Sequence, residues 1–323
     1  MCGSPSTVII NIAVGGLFLR LESLLSEYLL EIQIKNYSTK TIKGYKGNCG
    51  RFIEFMRGEF GVSEHYDVKP QHAKAYIKLL HQKGRSPVYM NTILKNIRSM
   101  FQYATDEGYL PRNPFEKVSW LREEKSVLVV PTDIEVAKML NAFKGSNLMA
   151  IRDATMLAML VDTGVRCAEL INLVQTDIIG GSIIINGKGR KQRFVPLSPL
   201  MQKQLLKYVR VKELHYKDVP AKSDKLFLSS RGKALTTEAI ERVVRRAGYI
   251  AGVNEKVRMS PHTLRHYFAI KMLDNGIDIY SLARLLGHSN IRTTQRYVTA
   301  TTDKQILQRT SNSTPLATLL NRS

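Results

Sequence analysis

Leu286-Gly-His-Ser-Asn-Ile-Arg-Thr-Thr-Gln-Arg-Tyr297 lies near the end of a 323-residue chain, and its order of residue types decides how the rest is read. A short apolar helix over 279–286 runs into Gly287, which sits where a helix-ending glycine belongs. His288 follows, then a short polar helix over 290–297 that finishes on Tyr297. This placement predicts an exposed, movable tyrosine. A phenol with a pKa of ~10 is a poor nucleophile at neutral pH unless a base takes its proton or a cationic field lowers its pKa. Three earlier stretches supply such groups.

Ser260-Pro-His-Thr-Leu-Arg-His266 opens a helix predicted over 261–275. Pro261 fixes its start. His262 and Arg265 fall three apart on one face, with His262 in the first turn, where the helix end favours an anion. Thr163-Gly-Val-Arg-Cys-Ala-Glu-Leu170 puts Arg166 just beyond a glycine stop, at the first turn of the next helix. Gly187-Lys-Gly-Arg-Lys-Gln-Arg193 forms a turn between two β-prone runs, 182–186 and 192–197, and predicts a hairpin carrying Lys188. Two guanidiniums, a lysine, two imidazoles and a phenol are what breaking a phosphodiester without metal requires. Arg166 and Arg265 would meet the charge of the transition state with planar forks. His262 would be the base, Lys188 the acid for the leaving oxygen, and Tyr297 the nucleophile. Arg190, Lys191 and Arg193 would touch phosphates only.

Composition agrees with a polyanionic partner. Lys and Arg number 48 against 27 Asp and Glu, a formal net charge of +21, and such an excess attracts nucleic acid and gains from counterion release. Cys2, Cys49 and Cys167 form no close pair, which excludes a disulfide framework and fits a reducing cytosol. His262 and His266 have an i, i+4 spacing that can hold zinc, but no third ligand accompanies them, there is no Walker loop and no acidic cluster for magnesium. No metal and no cofactor are expected. The apolar stretch Thr7–Leu19 falls short of the ~20 residues of a membrane span, so no membrane association is expected.

The same reading divides the chain into a leading tail (1–19), a helical domain (20–118), a linker (119–131), a second domain (132–309) and a C-terminal tail (310–323). In the helical domain Leu21, Leu24, Leu25, Tyr28, Leu29 and Ile32 recur at helical spacing. A helix after Ser38 buries Ile42, Tyr45, Cys49, Phe52, Ile53 and Met56, and carries Lys43 and Lys46 on its other side. Gly44, Gly47 and Gly50 on that helix either admit a close neighbour or are simply tolerated. A third helix is predicted over 70–80. A fourth opens at Ser86-Pro87 and shows Asn91, Lys95 and Arg98 as a polar row that would face a DNA groove, though a solvated face has the same pattern. The second domain begins with a capping box at Thr132-Asp-Ile-Glu135. A helix is predicted over 148–162, a small extra hairpin over 226–235 and a further helix over 237–250.

The ordered set Arg166, Lys188, His262-x-x-Arg265, His288 and Tyr297, within phrases such as TGVRCAEL, SPHTLRHYFA and LLGHSNIRTTQRY, resembles the catalytic domain of the tyrosine recombinases, the phage-integrase and Xer-type site-specific recombinases. The likeness spans about residues 20–315. It implies a mainly α fold with a small antiparallel β-sheet, a two-domain C-shaped clamp whose helical, SAM-like core-binding domain precedes the catalytic domain. It implies attack by Tyr297 to give a 3′-phosphotyrosine and a free 5′-hydroxyl, with ATP and metal unnecessary. Arg166 and Arg265 would clamp the phosphate, Lys188 serve as acid and His262 as base. His288 would donate to the transition state and Glu169 support it from behind. Double-stranded DNA with paired core sites would be held by a homo- or hetero-tetramer passing through a Holliday junction, assembled from a solution monomer on the nucleoid in the cytoplasm. The tail, at 315–320, would dock on a neighbouring protomer. Little sequence precedes Leu19, so a separate arm-binding domain is not expected. A type IB topoisomerase, which relaxes DNA by the same covalent chemistry, and a non-enzymatic DNA-binding regulator are the competing readings.

Overall fold

The computed structural model describes residues 19–123, 128–187, 192–218, 221–288 and 290–298. The tails expected at 1–19 and 310–323 lie outside these residues, apart from Leu19. The chain forms two compact units, Met1–Lys125 and Ser126–Ser323.

The first unit is built from helices whose apolar stripes meet in one core. These are α1 (Leu21–Ile34), α2 (Thr39–Phe60), α3 (Pro70–Gln82) and α4 (Pro87–Asp106). Ser38 and Ser86 cap α2 and α4 by accepting from the backbone N–H of Thr41 and Tyr89. Prolines at the first positions of α3 and α4 remove donors that would be orphaned there anyway. Leu24, Phe52, Met56, Met90, Phe101 and Phe115 are fully enclosed, and each contributes about 1.5–3 kcal/mol of burial. Phe115 stands edge-on to Phe101 and Phe52, with centroids 4.9 and 5.8 Å away. On α2, a Cβ added at Gly44 or Gly50 would meet nothing within 4 Å, and at Gly47 only the Arg51 guanidinium at 3.6 Å. No other helix of the unit therefore requires those glycines.

The polar row on α4 divides. Lys95 is exposed. Asn91 and Arg98 are not groove-facing, because both are spent inside the protein. The Asn91 amide donates to the carbonyl of Leu121 (2.9 Å) and to Glu123 Oε1 (2.7 Å), while its oxygen accepts from Leu121 N (2.9 Å). Arg98 donates to the carbonyl of Val118 and lies 4.3 Å over the Trp120 ring. Residues 118–123, placed by sequence at the edge of a linker, are thus clipped along α4.

The second unit starts with α5 (Asp133–Leu140), whose predicted capping box forms: Thr132 N donates to Glu135 Oε2 (2.7 Å) and Glu135 N to Thr132 Oγ1 (3.3 Å). Then come α6 (Leu148–Thr163) and α7 (Cys167–Asn172). The sheet follows, with β1 (Ile178–Ile179), β2 (Ser182–Asn186) and β3 (Gln192–Pro196) antiparallel in that order, pairing Ile178 with Ile183 and Ile184 with Phe194. It is one strand wider than the predicted hairpin. The remaining helices are α8 (Pro199–His215), α9 (Thr237–Ala251), α10 (Pro261–Asp274), α11 (Ile279–Leu286) and α12 (Arg292–Val298). The extra hairpin expected over 226–235 is reduced to a single bridge between Leu228 and Ala234, because Leu226 N instead bonds the carbonyl of Leu173.

Two cores hold this unit. Met156, Leu157 and Leu160 of α6 pack with Ile183, Val195, Phe227 and Val244. A smaller cluster joins Phe268, Ala269 and Leu273 of α10 with Leu282 and Leu286 of α11 and Tyr297 of α12. Among the described residues, no helix is long and apolar enough to cross a membrane.

Candidate active site

Two glycines with left-handed backbone bring the cationic residues together. Gly164 (φ 58°) ends α6, and a Cβ there would lie 2.3 Å from the Phe268 ring, so only glycine fits. Its carbonyl accepts from Arg265 Nη1 at 2.7 Å. Gly287 (φ 64°) ends α11 against the Arg193 guanidinium, and its carbonyl accepts from Arg166 Nη2 at 2.9 Å. Helix ends thus lend free carbonyls to both guanidiniums.

Arg265 is 2% exposed. Its Nη2 donates to the carbonyl of Leu286 (2.6 Å) and to His288 Nε2 (3.0 Å). A guanidinium only donates, so Nε2 accepts and Nδ1 of His288 carries the hydrogen, which it gives to Thr294 Oγ1 at 2.8 Å. Burial, then the positive charge of Arg166, lowers Arg265 to about 10, which leaves it ionised at neutral pH. Burial followed by Arg265 and Arg166 lowers His288 to about 4, so that ring is neutral.

Arg166 caps α7. Its backbone N–H donates to Glu169 Oε2 (2.7 Å) and its Nη1 to Glu169 Oε1 (2.9 Å). Glu169 also takes a two-pronged contact from Arg193 (2.9 and 2.7 Å), and Arg193 Nε donates to the carbonyl of Leu285 (2.7 Å). Burial would raise the Glu169 carboxyl, but the Arg193 fork and the Arg166 N–H outweigh it and hold it below the usual range. The phosphate contact expected of Arg193 is therefore corrected. It points inward because a buried carboxylate needs a full counter-fork, and it ties β3 to α7 and α11.

Arg166, His262, Arg265, Gly287, His288 and Thr293 line one cavity of about 390 Å³. His262, on the first turn of α10, has a face open to the cavity while the rest of its ring is shielded; this partial burial, then Arg265, Arg296 and Arg166, lowers its pKa. A larger adjoining cavity shares Arg166, Gly287 and His288 and is also lined by Asn186, Gly187, Gln192 and Phe194 of the sheet edge. Lys188, Arg190 and Lys191 lie outside the described residues. Lys43 and Lys46 are exposed on α2 in the other unit.

Tyr297 is not exposed. It is 1% accessible in the smaller core, and its hydroxyl lies 2.9 Å from His266 Nδ1. The polar sequence of α12 hides this, because Thr294 and Tyr297 turn inward while Arg292, Thr293, Gln295 and Arg296 face out. Burial raises the phenol, against the lowering effect of Arg265, Arg296 and Arg166. Its polar partner is therefore His266, and not His262, whose ring stands edge-on to His266 with centroids 4.2 Å apart. Two residues that touch the site escaped sequence reading. Thr294 gave no signal. His266 gave one, its i, i+4 spacing from His262, a pattern that also suits a metal pair. Among the described residues, no group of three or more His, Cys, Asp or Glu is placed to share a metal ion.

The sequence pattern of the phage integrase family matches residues 132–304. Tyrosine recombinase XerC of Anoxybacillus flavithermus is 32% identical over 286 residues, covering 87% of this chain and 93% of its own. Tyrosine recombinase XerD of Staphylococcus aureus is 33% identical over 282 residues, covering 86% and 94%. The solved XerH site-specific recombinase, in a post-cleavage complex with a palindromic difH substrate, superposes with a TM-score of 0.71 at 22% identity, covering 91% of this chain and 84% of that one. With its two-unit, mainly helical fold and its guanidinium-lined cavity, this chain belongs to the phage integrase family of tyrosine recombinases.

Proposed function

We propose that this enzyme cuts and rejoins DNA at specific sites through Tyr297. The observation that carries the reading is the convergence of Arg166, His262, Arg265 and His288 on one cavity, with the Tyr297 ring in the adjacent core, its centroid 6.5 Å from that of His288. The phenolic oxygen attacks phosphorus, the bond to the 5′ oxygen breaks, and a 3′-phosphotyrosyl ester remains. Arg166 and Arg265 stabilise the charge gathered on the non-bridging oxygens. His262, whose pKa is lowered by burial and then by Arg265, takes the phenolic proton, and Lys188 returns one to the leaving 5′ oxygen. His288 assists the transition state, and Glu169 orients Arg166 from behind. The 5′-hydroxyl of a partner strand then reverses the ester, so the bond energy is kept and neither metal nor ATP enters the balance.

The partner is double-stranded DNA bearing paired core sites, engaged by four protomers that associate from monomers on the nucleoid. The helical unit, with Lys43, Lys46 and Lys95 exposed, binds DNA and the second unit carries the chemistry. Tyr297→Phe is the direct test. On a nicked duplex selected for binding from a random pool, the variant is expected to bind within about twofold of the parent and to form no SDS-resistant protein–DNA adduct, since only the attacking oxygen is lost. An adduct that survives moves the nucleophile elsewhere.

A further inference from the structure

The bond between His266 and Tyr297 has no place in that reaction scheme. Both side chains are buried, at 7% and 1% exposure, and neither lines the cavity where the guanidiniums converge. Phe268, Ala269, Leu273, Leu282 and Leu286 enclose the tyrosine. To reach a phosphorus in the cavity its oxygen must leave His266 and move forward with α12. That helix is only seven residues long, and a second bond ties it to the site: Thr294 Oγ1 accepts from His288, whose Nε2 accepts from Arg265. A phosphate that engages Arg265 and His288 competes for the groups holding α12 in place. The buried position and the cavity are therefore linked through one short element.

We propose that His266 is a latch, a positioning residue that keeps the Tyr297 hydroxyl outside the cavity until a phosphate draws Arg265 and His288 forward and frees α12. The bond is between neutral groups. Burial, then His262 and Arg296, lowers His266 to about 3, and burial raises Tyr297. Without His266 the hydroxyl would be buried with no partner, so the stored position would lose much of its advantage. The latch rests on Tyr297 being the nucleophile.

The test is acetylation of tyrosines in the full chain by N-acetylimidazole, read by peptide mass spectrometry. Tyr249 and Tyr280, 89% and 72% exposed, are internal standards. Tyr297 is expected to react at least about tenfold more slowly than either, and about tenfold faster in His266→Phe, where a buried hydroxyl is left unbonded. His266→Gln, which restores an amide partner, should stay protected. If His266→Phe does not fold by circular dichroism, His266→Asn, too short to reach the hydroxyl, replaces it. Tyr297 reacting as fast as Tyr280 in the parent, or remaining fully protected in the Phe variant, overturns the latch.

Single-turnover cleavage of the selected duplex then separates a latch from a proton acceptor. A latch predicts that His266→Phe cleaves at least as fast as the parent at equal binding. A loss of about a hundredfold is the signature of a general base and also overturns it. Failure of the nucleophile reading appears separately, as an adduct retained in Tyr297→Phe.

Discussion

Arg166 and Arg265 carry the same charge into the same cavity, yet they differ in what else they hold up. The Arg166 side chain is 42% exposed, and its ion pair with Glu169 is backed by Arg193, so Arg166→Ala should lower stability by about 1 kcal/mol or less. Single-turnover cleavage should nevertheless fall by about 10²–10³-fold, because charge stabilisation is usually the largest catalytic term. Arg265→Ala strips the donor from two buried carbonyls, those of Gly164 and Leu286, and should cost about 2–5 kcal/mol in denaturant titration besides abolishing cleavage. Equal stability loss in the two variants would contradict this division. That Arg166, His262, Arg265 and His288 belong together was legible from residue type, since a phosphate calls for guanidiniums and imidazoles, and the structure brings these four to one cavity. Their partners were not, since nothing in TGVRCAEL says that Arg166 borrows a carbonyl from Gly287, 121 residues away.

Periodicity carried the helices, because a buried stripe such as Met90, Ile93, Leu94, Ile97 and Phe101 on α4 has one physical cause. It carried less at β1, where two isoleucines form a strand too short to show any period. The polar face of α4 was ambiguous for a different reason: Asn91, Lys95 and Arg98 share an i, i+4, i+7 spacing whether water, phosphate or backbone meets them. The structure separates them, and the separation is measurable. Asn91→Ala deletes three hydrogen bonds to Leu121 and Glu123. It should lower the stability of the first unit by about 1–3 kcal/mol and make the 118–123 segment an early site of limited proteolysis, with the salt dependence of DNA affinity unchanged. Lys95→Ala should leave stability within about 0.5 kcal/mol and reduce the slope of log K against log salt by about one, the loss of one phosphate contact. The reverse assignment, with Asn91 moving the salt slope and Lys95 moving the melting point, would place the wrong residue at the DNA.

A formal net charge of +21 draws the whole molecule to DNA, but it also concentrates positive charge where the chemistry happens, and folding has to accommodate that. Arg193 is neutralised by Glu169, and Arg152 by Asp153. Around the cavity the protein instead keeps histidines uncharged. His266 is lowered to about 3 and His288 to about 4, both by burial first and neighbouring cations next. In the unfolded chain these rings return to the ordinary value of ~6.5. Between that value and the folded ones the unfolded state binds more protons, so stability rises with pH there and is lost as pH falls. Each ring contributes up to roughly 1.4 kcal/mol per pH unit. Urea titrations of the full chain should therefore show the second unit weakening steadily from about pH 6.5 to 4.5, a window that begins above the ordinary range of carboxylates. The carboxyls of Asp133, Glu135 and Glu169, held below their usual range by Lys271, by the Thr132 backbone and by Arg193 respectively, add a further loss at lower pH in the same sense, because the unfolded chain again binds the proton more readily. His288→Gln and His266→Gln remove the titrating rings while keeping an amide, and each should flatten the upper part of the profile by roughly its share. A profile that is level down to pH 4.5 in the parent, or slopes unchanged in both variants, would mean that these rings are charged in the folded protein and that the cationic cavity is balanced in some other way.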